Sequence, residues 1–202
     1  GADLRGAAVG VGRRVGVKVF AGFFPPHKGG YERAVAELSA QLAAHGCDVT
    51  VVTCDLGGLP STEEMHGVKV YRLPSWVLLG GTYTVPKPTP RTLRLLAEAL
   101  RGPFHLVHTH TRFFPTSWLG WWVAVRHRRP LLHTEHGAGH SRTGRRLVDL
   151  LATVADHLLG RALMRRSRVV AISRAVATFC RHLGAEEGVV IPDGVDARAF
   201  RP

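Results

Sequence analysis

Two adjacent glycines stand between the first apolar run of the chain and a helical pattern. The run VGVKVFA (15–21) predicts a buried strand, and FFPPHKGGYERAV (23–35) leads from it into the helix. Gly29 and Gly30 have no side chains, so an anion could reach the main-chain amides at the positive N-terminus of that helix. A tight turn without a ligand would use the same residue pair. The pattern therefore predicts a phosphate site or a plain turn.

Histidines gather at the ends of two later apolar runs. FHLVHTH (104–110) ends in His108 and His110, which face the same side of a strand. The next run, PLLHTEH (130–136), and the residues after it contain His133, Glu135, His136 and His140. This density makes a zinc hydrolase an alternative, but the spacing lacks the usual metal-binding pattern, and we expect no metal. We expect core or hydrogen-bonded roles for His108 and His133.

The apolar periods alternate between short strands and longer helices. Strands are predicted at 15–21, 47–54, 67–74, 104–110, 130–136, 168–173 and 188–192. Helices are predicted at 31–45, 91–101, 116–127, 143–165 and 174–183, and residues 75–90 form a Gly/Pro/Thr-rich loop. This alternation predicts an α/β fold with a doubly wound, parallel, Rossmann-like sheet. Ligands of such sheets bind outside the carboxyl ends of the strands, where the glycines and histidines fall.

Composition and charge limit the classes of partner. The chain has 202 residues, of which 45% are hydrophobic and 21% charged, as in an ordinary globular domain. The formal net charge of +12 favours polyanions, but no nucleic-acid-binding motif is present, and we expect no nucleic-acid partner. The three cysteines are widely spaced and contain no C-x-x-C pair, which argues against a disulfide framework and favours a reducing, cytoplasmic location.

An arginine-rich segment suggests a second kind of partner. Residues 142–168 carry seven arginines around the apolar stretch LVDLLATVADHLLGRALM. A helix of this composition could rest on an anionic membrane surface, at the inner face of the membrane. A helix that packs against the core and keeps its arginines in water would have the same composition.

Five segments in chain order resemble the N-terminal, acceptor-side domain of family-4 glycosyltransferases, which are retaining enzymes of the GT-B fold. The segments are FFPPHKGGYERAVAELSAQLAAHGCDVTVVT, HLVHTHT, PLLHTEHG, SRVVAISRAV and VVIPDGVDARAFRP. The resemblance implies a metal-independent transfer from a nucleotide-diphosphate sugar, in a cleft between two Rossmann-like domains. It also implies an acceptor, such as a lipid or a glycan, held mainly by this domain.

The resemblance assigns roles to individual positions. Gly29 and Gly30 would contact the donor diphosphate, and His136 would be the catalytic residue that contacts the transferred sugar. The candidate acceptor or cleft residues are Glu32, His110 and Ser173. The family's closing P-N-G-V-D motif reads IPDGVD (191–196) here, and we expect little effect because aspartate also tolerates a turn.

These patterns predict three parts of the chain. We expect a flexible basic arm at 1–14, a Rossmann-like glycosyltransferase domain at 15–192, and the start of a linker at 193–202. In the family, the linker leads to a C-terminal domain that holds the nucleotide. Without that missing domain the chain alone is expected to be inactive. The alternative function is a non-catalytic GT-B-like module that binds a ligand or docks on a membrane.

Overall fold

The computed structural model describes residues 14–186 and 188–194. The predicted arm at 1–14 lies outside the described residues except for Arg14. The predicted linker at 193–202 lies outside them except for Asp193 and Gly194.

The described residues form an α/β arrangement of ten strands and six α-helices. The strands are β1 Gly16–Phe20, β2 Asp48–Cys54, β3 Thr62–Met65, β4 Val68–Leu73, β5 Ser75–Leu78, β6 Tyr83–Pro86, β7 Leu106–His110, β8 Leu131–Glu135, β9 Arg168–Ala171 and β10 Gly188–Val190. The helices are α1 Gly30–Ala44, α2 Pro90–Ala99, α3 Pro115–Arg126, α4 Arg146–Ala155, α5 Arg161–Arg166 and α6 Arg174–His182.

Eight strands form one twisted sheet with the order β10-β9-β8-β7-β1-β2-β4-β3. Every pairing in this sheet is parallel except that of β3 with β4. The order reverses direction at β1, so the carboxyl ends of β1 and β7 lie side by side at the switch point. This architecture confirms the predicted doubly wound, Rossmann-like fold.

Helices cover both faces of the sheet because its central strands are apolar on both sides. On one face, Val17 and Val19 of β1 pack with Val35 of α1. On the other face, Phe20 packs with residues of α2 and α3, including Leu95 and Val123. These layers hold the carboxyl ends of the strands and the start of α1 in a fixed relation.

The predicted loop at 75–90 is wrong, because this segment contains a β-hairpin. Strands β5 and β6 pair antiparallel, and Gly80 and Gly81 between them have φ values of 67° and 96°. Such positive φ values suit glycine, which has no Cβ to clash with the backbone. The Thr84 hydroxyl donates to the Gly22 carbonyl at 3.2 Å, so the hairpin is attached to the loop that follows β1.

Two smaller differences concern β3 and the arginine-rich segment. The short, polar strand β3 was not predicted, and it adds an antiparallel edge to the sheet. The helix predicted at 143–165 begins at Arg146, and α4 and α5 are joined by a wide π-helical turn at Asp156–Gly160. Within the described residues, no helix is both long and apolar enough to cross a membrane.

Candidate active-site cleft

The two glycines at the start of α1 differ in what surrounds them. Gly29 is the N-cap residue and is extended, with φ −174° and ψ 166°. A Cβ added to Gly29 would lie 2.1 Å from Oε2 of Glu32, whereas a Cβ on Gly30 would meet nothing within 4 Å. Gly29 therefore makes room for a carboxylate of this chain. The free space beside Gly30 leaves room for the predicted contact with a diphosphate.

Glu32 places a carboxylate in the first turn of α1. Its side chain is buried, and Oε1 lies 2.8 Å from Nδ1 of His27. The His27 ring in turn stacks on Phe23, with 4.6 Å between the ring centroids. The partial positive charge of a helix N-terminus stabilises a carboxylate at this position. Glu32 is thus held rigidly at the place predicted for the acceptor side.

Three histidines form a layered cluster at the carboxyl ends of β7 and β8. The rings of His108 and His110 lie 4.1 Å apart between centroids, which confirms that they face the same side of β7. Nδ1 of His110 lies 3.4 Å from Nε2 of His136, and the ring of Tyr31 meets His136 edge-on at 5.2 Å. His136 therefore lies outermost, with His110 directly behind it.

Burial keeps these imidazoles neutral. It lowers the pKa of His108 to about 3, with smaller contributions from His133 and His136. Burial also lowers the pKa of His110 well below its ordinary value, and the neighbouring His108 adds to this. The pKa of His136 is lowered by burial as well, although Asp193, whose Oδ2 lies 3.4 Å from His136 Nδ1, acts in the opposite direction. A neutral imidazole can donate one hydrogen bond and accept another, which suits contact with a sugar hydroxyl.

The inner histidines have the hydrogen-bonded roles expected from the sequence. Nε2 of His108 lies 2.8 Å from the Thr134 hydroxyl, and Nδ1 of His133 lies 2.8 Å from the Thr109 hydroxyl. Both rings are buried. These contacts give a ring nitrogen of each histidine a hydrogen-bond partner.

A buried ion-pair network behind His136 was not predicted from the sequence. The guanidinium of Arg112, which is 1% exposed, contacts the carboxylates of Glu135 at 3.1 Å and Asp156 at 3.0 Å. Glu135 also accepts hydrogen bonds from the backbone N–H groups of Arg112, His136 and Gly137. These bonds fix the turn after β8 and so position His136. The sequence offers one indication of this network, the carboxylate of Glu135 within an apolar strand, and the other members, Arg112 and Asp156, lie far from it in the chain.

The network keeps Glu135 ionised. Burial alone would raise the pKa of this carboxyl group, but the hydrogen bond from His133 and the positive charge of Arg112 outweigh burial. The resulting pKa is about 2. The carboxylate of Glu135 therefore stays ionised at neutral and mildly acidic pH.

Ser173 has a structural role in the described residues. It is the N-cap of α6, and its hydroxyl accepts a hydrogen bond from the Val176 backbone N–H at 3.3 Å. Capping of this kind explains a serine at the start of a helix. Its predicted contact with the cleft stays a prediction.

Two cavities meet at His136. A cleft of about 550 Å³ is lined by residues that include His27, Tyr31, Glu32, Thr111, Phe114 and His136. A second cavity of about 490 Å³ is lined by residues that include His108, His110, His136 and Asp193. The structure thus brings Glu32 and His136 together in one cleft, at the carboxyl edge of the sheet, and places His110 in the cavity behind it.

The sequence matches the model of Glycosyltransferase Family 4 over residues 28–199. This match covers well over half of the chain. The chain belongs to glycosyltransferase family 4. The predicted family is therefore confirmed.

Two curated relatives agree with this membership. An uncharacterized glycosyltransferase of Methanocaldococcus jannaschii is 29% identical over 83% of this chain and 44% of its own length. The GDP-mannose:cellobiosyl-diphosphopolyprenol alpha-mannosyltransferase of Komagataeibacter xylinus is 30% identical over 88% of this chain and 44% of its own length. The chain thus spans less than half the length of either relative.

A solved structure shows the same fold. Sucrose-phosphate synthase from Thermosynechococcus elongatus superimposes with a TM-score of 0.63 at 22% identity. The superposition covers 94% of this chain and 50% of that one. The described residues therefore share the fold of about half of that enzyme.

Proposed function

We propose that this chain forms the acceptor-side domain of a retaining glycosyltransferase, which moves a sugar from a nucleotide-diphosphate sugar to an acceptor. The observation that carries the proposal is the cleft that joins Glu32 and His136, in a chain of this family. The name of the Komagataeibacter relative supports a nucleotide sugar as donor and a lipid-linked acceptor. Because the chain spans less than half the length of its relatives, we expect a second domain to complete the cleft and the 202 residues alone to be inactive.

The groups in the cleft have distinct tasks in this proposal. The open amide end of α1 at Gly30 faces the donor diphosphate and stabilises the charge that develops as it leaves. His136, neutral and fixed by the Glu135 network, contacts a hydroxyl of the transferred sugar. Glu32 accepts a hydrogen bond from the acceptor. Because the helix end stabilises the phosphate charge in this proposal, the transfer needs no metal ion.

A size series at Gly30 tests the diphosphate contact. In the complete gene product, we expect Gly30→Val to reduce kcat/KM for the donor at least tenfold and Gly30→Ala to have a smaller effect. Since an added Cβ meets nothing within 4 Å, the free energy of unfolding should not fall in Gly30→Ala. Steady-state release of nucleoside diphosphate and urea unfolding measure the two quantities. Unchanged kinetics in Gly30→Val would show that the helix end does not contact the donor. Retention is tested separately, by NMR of the product's anomeric centre.

An apolar, arginine-flanked surface favours a second candidate function, docking on an anionic membrane. We define the α4 surface as Leu147, Leu150, Leu151, Val154 and Leu158, whose side chains are 45% to 69% exposed. All seven arginines between 142 and 168 are exposed as well. Apolar side chains that enter the interface, next to cations that pair with anionic head groups, are typical of helices that lie on membranes.

Docking through the α4 surface would hold the protein at the cytoplasmic face of a membrane, next to a lipid-linked acceptor. Co-sedimentation with vesicles measures this directly. We expect binding to vesicles that contain phosphatidylglycerol and none to pure phosphatidylcholine vesicles. Equal binding to both kinds, or to neither, would contradict the proposal.

A further inference from the structure

Three histidines from separate parts of the chain converge outside the cleft. His140 lies in the loop after β8, His157 in the π-helical turn between α4 and α5, and His182 at the end of α6. One ring nitrogen from each lies within 4.8 Å of the others. The ring centroids are 5.2, 5.4 and 6.1 Å apart. We call these three residues the histidine triad.

A buried carboxylate orients the innermost histidine of the triad. Nδ1 of His140 lies 2.7 Å from Oδ2 of Asp156, so Nδ1 carries the proton and Nε2 is left free to bind a metal. A carboxylate that holds the other ring nitrogen is the usual outer partner of a metal-bound histidine. Asp156 is itself held by Arg112, which fixes its position.

The surroundings leave the other two histidines free to move onto an ion. His157 and His182 are exposed, and a phenylalanine ring, Phe179, packs edge-on against His140 at 5.1 Å. A tetrahedral zinc ion with Zn–N bonds of about 2.0 Å needs nitrogens about 3.3 Å apart. The observed separation of up to 4.8 Å exceeds this by about 1.5 Å, and rotation of the two exposed side chains is the movement that would close it.

We propose that the histidine triad binds one first-row divalent ion of the zinc type, with water in the fourth position. Imidazole nitrogens are ligands that suit zinc, copper and nickel rather than magnesium or calcium. The π-helical turn supports this assignment, since such turns are frequent at functional sites. The ion ties the loop after β8 to α6 and to the turn between α4 and α5. Its task is structural, because the triad lies outside the cleft that holds Glu32 and His136.

Metal titration of the purified chain tests the proposal. After treatment with EDTA and dialysis, calorimetry with Zn²⁺ should show one saturable site per chain. Cobalt in the same site should give the intense visible absorption of tetrahedral coordination. At a zinc concentration of about 100 times Kd, Tm should rise by about 5–10 °C.

Two single variants and a matched control separate the triad from other histidines. His157→Gln and His182→Gln should each weaken zinc binding at least tenfold, while Tm in EDTA stays within about 1 °C of the parent because both side chains are exposed. His127→Gln, at an exposed histidine outside the triad, should leave zinc binding unchanged. Absence of saturable zinc binding, or binding that both triad variants leave unaltered, would overturn the proposal.

Discussion

At the scale of single residues, Glu135 is a buried carboxylate whose charge is stabilised by Arg112 and His133. Its pKa of about 2 lies below the ordinary value of 4.5, so the ionised form is favoured in the folded state. A depressed carboxyl pKa contributes stability that is fully present above pH 4.5 and is lost as the pH falls toward 2. We therefore expect Glu135→Gln to lower the free energy of unfolding by about 3 kcal/mol at pH 7.

The pH dependence distinguishes this electrostatic cost from a packing defect. The deficit of Glu135→Gln should shrink progressively below pH 4.5, because Glu135 of the unfolded parent then takes up a proton while the folded parent, with a pKa of about 2, keeps its charge. Urea unfolding at pH 7, 4 and 3 measures it. Glu37→Gln, at an exposed carboxylate paired with Arg33, is the control and should change stability by less than about 0.5 kcal/mol at each pH. A deficit that stays constant down to pH 3 would show that charge is not the cause.

Cleft residues could be predicted only where residues close together in the sequence form a recognisable pattern. The glycine pair stands out because two adjacent residues without side chains come directly before a helical pattern. The alternation in HTH places both histidines on one side of a strand. The network of Arg112, Glu135 and Asp156 could not be predicted, because Arg112 and Asp156 are 44 positions apart. The neighbour of Gly29 was equally hidden, since only the folded first turn brings Glu32 against it.

At the scale of helices and strands, variants of Ser173 test whether this residue only caps α6 or also contacts the cleft. As an N-cap, Ser173→Ala should lower the free energy of unfolding by about 1 kcal/mol, and Ser173→Asp should restore it. Thr89 is a matched control, because its hydroxyl caps α2 by accepting from the Thr92 backbone N–H. If Ser173 only caps, Ser173→Ala and Thr89→Ala should affect transferase kinetics of the complete gene product equally little. A much larger kinetic loss at Ser173 would support its predicted contact with the cleft.

The same scale shows why most elements were predictable. Buried parallel strands are apolar runs and their helices have a 3.6-residue period, so β1, β2, β7 and β8 were found near their true bounds. The hairpin was missed because its threonines, prolines and glycines have the composition of a loop. The hairpin is attached through Thr84 to Gly22, which lies 62 positions earlier in the chain. Local sequence patterns do not reveal such a distant contact.

At the scale of the whole molecule, the net charge of +12 bears on where the protein works. The seven exposed arginines between 142 and 168 lie on both sides of the α4 surface in the chain. A long-range attraction would therefore bring the protein to an anionic bilayer, and the α4 surface would then enter it. The contributions of charge and of apolar contact to membrane binding should be separable, because salt screens only the charge.

Salt and apolar substitutions should therefore weaken membrane binding independently. Binding to phosphatidylglycerol vesicles should fall strongly when NaCl is raised from 0.1 M to 1 M, because the Debye length shortens from about 10 Å to about 3 Å. At low salt, the double variant Leu147→Ser/Leu150→Ser should also reduce co-sedimentation severalfold, while its net charge is unchanged. Leu93→Ser, at a leucine 66% exposed on α2, is the matched control and should bind like the parent. Loss of binding in Leu93→Ser, or full binding in the double variant, would show that a surface other than α4 meets the membrane.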